Sequence, residues 1–282
     1  MIDKTSVIEP GAQLGKDVEI GPFCVVGKDV VLGDRVRLMS NVVIGGKTAI
    51  GDDTIIYPFA AIGMKGQDLK FQDDESMTGL TIGKRCRIRE YATIQSGTPA
   101  SKGTKIGDDC QVMVNAHIAH DCQLGNNIVL SNLVQLAGHV EIGDHAIISA
   151  MSAVHQFCHI GEYAFLGGMS GTAVDIPPYV IFEGVPARYR TINRVGLTRN
   201  GFTPEDLQAI YAVYSAVFAS EDAGAENLNH IKKQVRDNRY AMHAIEFIED
   251  RAGRSLTMET RGVDNKQTRG IFGQKKSNYD RK

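Results

Sequence analysis

Ile8-Glu-Pro-Gly-Ala-Gln-Leu14-Gly-Lys-Asp-Val-Glu-Ile20-Gly-Pro-Phe-Cys-Val-Val26 places an aliphatic residue at every sixth position, and glycine follows it at Gly15, Gly21 and Gly27. The step continues unbroken through Leu32, Leu38, Ile44, Ile50, Ile56 and Ile62. A small or β-branched residue falls four places after the aliphatic one, as at Ala12, Val18, Val30, Val36, Thr48 and Ala60. A fixed internal period outranks any local propensity. One large and one small inward residue in six suit a short strand and a tight turn, and three such units close a triangular coil of 18 residues. A single coil cannot cover its own inner face, so the period predicts a stack of coils about 4.8 Å apart.

After an interruption at about 64–80 the period resumes at Ile82, Ile88 and Ile94, and it pauses again at about 99–105. It then runs from Ile106 through Val112, Ile118, Leu124, Leu130, Leu136, Ile142, Ile148, Val154 and Ile160 to Leu166. All five cysteines, Cys24, Cys86, Cys110, Cys122 and Cys158, occupy the small position. Odd in number and without a CxxC pair, they read as small buried hydrophobes and not as a disulfide framework.

Asp175-Ile-Pro-Pro-Tyr179 reads as the exit from the solenoid, because consecutive prolines supply no donors to a ladder. Thr203 and Pro204 then read as the cap and first turn of a helix that carries Leu207, Ile210, Tyr211, Tyr214, Val217 and Phe218 at helical spacing. Shorter helices are expected near 225–237 and 240–250. The expected organisation is therefore a mainly β solenoid over 1–185 with an extruded loop at 64–80, a connecting segment and helical domain over 186–250, and a polar tail over 251–282. That tail carries nine Lys/Arg against three Asp/Glu.

The formal charge of −2 provides no global basic field, which disfavours nucleic acid and anionic membrane surfaces as partners. The N-terminus lacks the apolar run of a signal peptide, and no stretch approaches the roughly 18 apolar residues of a membrane span. No membrane insertion and a cytoplasmic location are expected.

Seven of the eight histidines fall between residues 117 and 230. One coil beyond His120 lies Gly138, and a second coil leads to Gln156, with His139 and His155 as immediate neighbours. These residues take outward or turn positions, where plain solvated polar side chains would also sit. His120 beside Asp121 is the arrangement of a general base whose tautomer a carboxylate fixes. Gly138 would leave a backbone N–H open as an oxyanion donor. Base and donor on neighbouring coils suggest acyl transfer. Two other readings are a hydratase holding zinc through His117, His120 and His139, and a non-catalytic scaffold that has no need of the His120-Asp121 pair.

With these residues in view, the chain resembles the UDP-N-acetylglucosamine O-acyltransferase family of lipid A biosynthesis. The resemblance rests on Ile20-Gly-Pro-Phe-Cys24, Gln67-Asp-Leu-Lys70, Ile88-Arg-Glu90, Asn115-Ala-His-Ile-Ala-His-Asp-Cys122, Ala137-Gly-His-Val140, Ala153-Val-His-Gln-Phe-Cys158 and Asp175-Ile-Pro-Pro-Tyr179. It implies a left-handed parallel β-helix with a small C-terminal α-helical domain, active as a homotrimer, and neither cofactor nor metal. It also implies an acyl chain donated by acyl carrier protein and accepted by a UDP-sugar, with His120 as base, Asp121 as its support and the Gly138 amide as oxyanion donor. Asp68, Lys70, His117, His139, His155 and Gln156 would contact sugar or acyl groups in a cleft between subunits. Gly168 would gauge acyl length, and Asn193 and Arg199 would contact ribose and phosphate.

The chain departs from the family pattern at Gln95 and Ser96, where a histidine and an arginine are usual, at Val195 and Asn200, and at Gly184-Val-Pro-Ala187. These departures point to altered sugar-nucleotide recognition, such as a 3-amino acceptor. Lys232, Lys233, Arg236 and Arg239 on an expected helix offer a basic surface to an acidic carrier protein.

Overall fold

A hexapeptide leaves room for only two or three extended residues before the chain must turn, and most strands of the solenoid have that length. The computed structural model describes residues 1–71, 76–99, 101–218 and 224–251; apart from Arg251, the basic tail lies outside the described residues. Successive strands fall on three different faces, and each strand of the solenoid pairs in parallel with the strand one coil away, while the last strand of face three joins it antiparallel. Face one begins with Val7–Ile8, face two with Gln13–Leu14 and face three with Glu19–Ile20, and they grow to nine, eight and ten strands. The result is a left-handed parallel β-helix. In each strand pair the period-six aliphatic residue points inward, as in Val25↔Val43 with Val26↔Ile44, so the core is a column of Ile, Leu and Val down the axis.

Corners are built from residues in the left-handed region, among them Asp17, Phe23, Arg35 and Asn41 at φ 54–59°. Such values are uncommon outside glycine, and here they recur because the short corner requires them. Along the edge between faces two and three a carboxylate or amide ladder secures the corners: Asp34 Oδ1 accepts from Lys16 N at 2.8 Å, Asn126 Oδ1 from Asp108 N at 2.8 Å and Asp144 Oδ1 from Asn126 N at 2.7 Å. All five cysteines are free and buried at the small position. Burial pushes the Cys122 and Cys158 thiols up to about 12, so both stay protonated and inert.

The paired prolines do not end the solenoid. Ile176 bridges to Ile160, and Val180–Glu183 adds a further parallel strand to face three beside Phe165–Leu166. Pro177 and Pro178 occupy the corner between these two contacts, where no ladder donor is needed. The stretch expected to be a polar connector contains the antiparallel strand Arg188–Ile192 and helix α1 (Arg194–Arg199).

Helices α2 (Pro204–Phe218), α3 (Gly224–Gln234) and α4 (Arg239–Arg251) follow. Thr203 caps α2 reciprocally with Asp206. The buried face of α2 is Leu207, Ile210, Val213, Tyr214 and Val217, while Tyr211 is exposed. Among the described residues no helix is long and apolar enough to cross a membrane.

Helix α4 docks on the solenoid through His243, whose Nε2 lies 2.5 Å from Glu162 Oε1 as an ion pair more than a well-aligned hydrogen bond. Contact with Glu162 raises His243 above the ordinary histidine value against the effect of burial. Burial pushes Glu162 up, but contact with His243, a backbone hydrogen bond and the nearby His159 together outweigh it and the net direction is down. The histidine's contribution is full below its unfolded value and lost as pH rises through the raised one. The glutamate's is present above the ordinary carboxylate range and lost as pH falls through its lowered value. The pair therefore supports docking most at about pH 4.5–6.5 and fades above. His243→Ala is expected to flatten the pH dependence of the melting temperature between pH 6 and 9, and parallel wild-type and variant curves in thermal melts would show that the pair contributes nothing.

Candidate active site

The two interruptions of the repeat share one edge. The chain leaves face one after Ala61–Met64 and again after Thr93–Gln95, and each time re-enters face two, at Leu80–Ile82 and Thr104–Ile106. In the next three coils the same edge returns to simple corners, at His120-Asp121, Gly138-His139 and Gln156-Phe157. The second corner residue is left-handed in each, at φ 64° for Asp121, 59° for His139 and 64° for Phe157.

His120 is almost wholly buried at 9% exposure, and its Nδ1–H donates to Asp121 Oδ2 at 2.8 Å. That network assigns the proton to Nδ1 and leaves the Nε2 lone pair outward. Burial pushes the Asp121 carboxyl up, but hydrogen bonds from His120, Ser101 and Thr98 outweigh it and hold the group at about 2. It is a carboxylate throughout the physiological range.

A Cβ added to Gly138 would come within 2.5 Å of His120 Cε1 and 2.7 Å of Nε2, so the glycine backbone lies directly against the Cε1–Nε2 edge of the ring. Its neighbours' amides are committed, Ala137 N–H to Val154 O and His139 N–H to His120 O. Among the described residues the Gly138 N–H donates to no group of the chain. On the far side Gly66, at the start of the first loop, approaches so closely that a Cβ would stand 3.1 Å from His120 Cβ and 3.3 Å from Cδ2. The imidazole is thus held between two glycines, one from the next coil and one from the loop.

His139 meets the dyad with Nε2 3.4 Å from Asp121 Oδ2, lies edge-on to His120 at 5.2 Å, and stacks on Phe157 at 4.7 Å. Burial holds His139 below the ordinary value, while the charges of Asp121 and Asp68 pull it upward, which brings Asp68 of the first loop into the field of the site. Asp68 Oδ1 also accepts from Lys70 N at 2.9 Å, and the Lys70 side chain is exposed. His117 stands on face one with Nδ1 2.7 Å from Thr93 Oγ1, and burial, helped by His120, lowers it. His155 and Gln156 are exposed two coils beyond His120.

Three other residues do not join this cluster within one chain. Gly168 sits at the edge between faces three and one, where a Cβ would meet only Ala150 O at 3.5 Å and Ser149 Cβ at 4.0 Å. Asn193 is the buried cap of α1, its Oδ1 accepting from Gly196 N and its Nδ2 donating to Tyr163 O. Arg199 is exposed in the last turn of α1. Gln95 and Ser96, read as departures beside a cleft, are buried supports: Gln95 Oε1 accepts from His120 N at 3.3 Å and Ser96 Oγ donates to Gly63 O at 2.9 Å.

The expected basic patch is partly spent. Lys232 pairs with Glu249 at 2.7 Å, Arg236 lies in the turn after α3 beside Asp237, and Arg239 covers the Tyr240 ring. Ligand atoms of His120, Asp121 and His139 lie within 4.8 Å of one another, so among the described residues the metal trio this corner offers contains Asp121 in place of His117. A cation would have to displace donors already seated on that carboxylate.

Sequence reasoning missed the side chains that grip Asp121, namely Thr98 and Ser101, and the close approach of Gly66. A further feature is an exposed apolar ridge on the edge between faces three and one, formed by Phe23, Phe59, Tyr91, Leu133, Met151 and Met169, with the Phe59 and Tyr91 rings stacked at 5.1 Å. Asn41 and Asn115 hold the same corner position and divide this row into three apolar segments; exposed apolar patches mark interaction surfaces.

Comparison with known proteins agrees with this architecture. Residues 175–262 match the family described as UDP-N-acetylglucosamine O-acyltransferase, domain 2, and residues 29–63 and 103–138 match the bacterial transferase hexapeptide. A protein of Paraburkholderia phymatum, named acyl-(acyl-carrier-protein) UDP-N-acetylglucosamine O-acyltransferase, is 51% identical over 237 residues, covering 84% of this chain and 88% of its own. The crystal structure of a UDP-N-acetylglucosamine acyltransferase from Bacteroides fragilis superposes with a TM-score of 0.85 at 37% identity, covering 89% of this chain and 97% of that one. The Moraxella catarrhalis O-acyltransferase gives 0.84 at 40% identity, covering 88% and 96%.

Proposed function

Because the chain belongs to the UDP-N-acetylglucosamine O-acyltransferase family, we propose that His120 drives transfer of a 3-hydroxyacyl chain from acyl carrier protein to the sugar 3-hydroxyl of UDP-N-acetylglucosamine, the opening step of lipid A biosynthesis. The observation that carries the mechanism is the His120 ring bound through Nδ1 to a carboxylate while its Nε2 edge lies against the Gly138 backbone. Nε2 takes the proton of the acceptor hydroxyl as its oxygen attacks the thioester carbonyl. The carbonyl electrons move onto oxygen, where the Gly138 N–H donates to the developing charge. The intermediate then collapses, the carbon–sulfur bond breaks, and the carrier thiolate leaves with the proton that His120 returns. No acyl-enzyme forms. Base catalysis of this type contributes about 10²–10⁴-fold, and one positioned oxyanion donor about 10²–10³-fold.

Asp68, Lys70, His117, His139, His155 and Gln156 border the reacting centre and bind sugar and acyl groups. Gly168, on another edge of the prism, serves the acyl chain from a neighbouring copy. The apolar ridge beside it supports a homotrimer, since it would be costly to leave in water. Arg199 offers its guanidinium to the pyrophosphate, and Asn193 fixes the helix that carries it.

Mass spectrometry of products from UDP-N-acetylglucosamine mixed with hydroxyacyl carrier proteins of several chain lengths tests the reading. One acyl group added to the sugar nucleotide, and lost with His120→Ala, is expected. Acylation confined to a 3-amino analogue would move the acceptor and give the departures at Val195 and Asn200 a role in specificity. No product from any acceptor overturns the reading.

A further inference from the structure

The described residues of the second excursion, 96–99 and 101–103, are built around the Asp121 carboxylate. Thr98 N–H donates to Oδ1 at 2.7 Å, Thr98 Oγ1–H donates to Oδ2 at 2.8 Å, and the Ser101 hydroxyl donates to Oδ1. Gly103 N–H donates to Ser101 Oγ at 3.0 Å, which leaves that hydroxyl's single proton for the carboxylate. The loop is tied to the same coil at its far end, where Thr104 Oγ1 accepts from Asp121 N at 2.8 Å and Gln123 Nε2 donates to Gly103 O at 2.7 Å. The Asp121 side chain is 1% exposed and Thr98 is equally buried. A carboxylate removed from water this completely persists as an anion only if donors replace its hydration.

We propose that Thr98 and Ser101 are positioning residues for the reaction, whose hydroxyls orient Asp121 so that one oxygen is left for the His120 Nδ1–H. This rests on the reading of His120 as the base. A rigid body of donors on Oδ1 and on one side of Oδ2 leaves a single direction for the imidazole. That direction aims Nε2 along the Gly138 backbone. Without the two hydroxyls the carboxylate can rotate toward His139, whose Nε2 is already 3.4 Å from Oδ2, and the dyad loses its unique geometry. The groups facing Asp121 are then His120 and His139, with Asp68 and His117 beyond them.

The test compares Thr98→Val, Ser101→Ala and their double variant with Thr98→Ser, which keeps both donors of Thr98. In the double variant kcat is expected to fall about tenfold or more while KM for both substrates changes less than about threefold, since the lost interaction is used in the transition state. The acidic limb of the pH–rate profile should move to higher pH, because a carboxylate with fewer donors holds a shared proton more tightly. Thr98→Ser should restore both. Nitrogen-15 NMR of histidine-labelled protein reads the His120 tautomer without any substrate; a pure Nδ1–H form is expected in the wild type and a mixture in the double variant. An unchanged tautomer and pH limb in a folded double variant overturn the proposal. Failure of the proposed reaction itself would appear as absent product in the wild type, with the NMR comparison still valid. If the double variant does not fold, the same readouts on Ser101→Ala decide.

Discussion

Replacing His120 with alanine is expected to lower kcat by about 10²–10⁴-fold, the range typical of a lost general base, with little change in KM. Among the described residues the ring makes one hydrogen bond through its side chain, to Asp121, so alanine removes the base without dismantling the second loop, which grips the carboxylate and not the imidazole. Asp121→Asn should cost less than His120→Ala but more than any change in the surrounding hydroxyls. Its amide nitrogen cannot accept from Nδ1–H, so part of the His120 population would take the other tautomer and point a proton at the substrate hydroxyl. Single-turnover measurement at saturating acyl carrier protein separates the chemical step from product release. Rates within about threefold of wild type for His120→Ala would remove the base from the mechanism and leave the Gly138 oxyanion donor and orientation by the cleft as the sources of catalysis.

The coil is readable because one physical requirement, an inward aliphatic residue at every corner-to-corner step, is written at every sixth residue. The same arithmetic stacks His120, Gly138 and Gln156 on one edge, and it contains the separation of Gly168 as well: 48 residues from His120 is two coils and two thirds, which lands on a different edge. The hold of Thr98 and Ser101 on Asp121 was not readable, since it depends on the path of a loop that has left the period. The paired prolines misled for a related reason. A missing N–H rules out a ladder position, but a corner has no ladder bond to lose, and Pro177-Pro178 occupies one. Of the residues at helical spacing in α2, Tyr211 stays exposed, and Val213 joins the buried face. Helical spacing fixes which residues share a stripe, and the partner surface decides where the stripe ends.

Gly138→Ala is expected to lower kcat by about 10²–10³-fold, comparable to loss of an oxyanion donor, even though the backbone N–H survives. The glycine does not have a backbone conformation closed to alanine; what forbids the methyl group is space. A Cβ 2.5 Å from Cε1 and 2.7 Å from Nε2 cannot coexist with the ring, and neither the backbone of the coil nor Gly66 on the opposite side leaves room for the imidazole to retreat. The ring must turn away from Nε2's working position, and Asp121 must follow or lose its bond. Overpacking of this kind costs about 1–3 kcal/mol, so the melting temperature should fall as well. Gly168→Ala provides the stability control: its Cβ would meet only ordinary contacts at 3.5 and 4.0 Å, and its melting temperature should match the wild type. A Gly138→Ala protein that turns over within about threefold of wild type would mean that the imidazole can work from a second position, and that the glycine's close approach is a feature of coil packing alone.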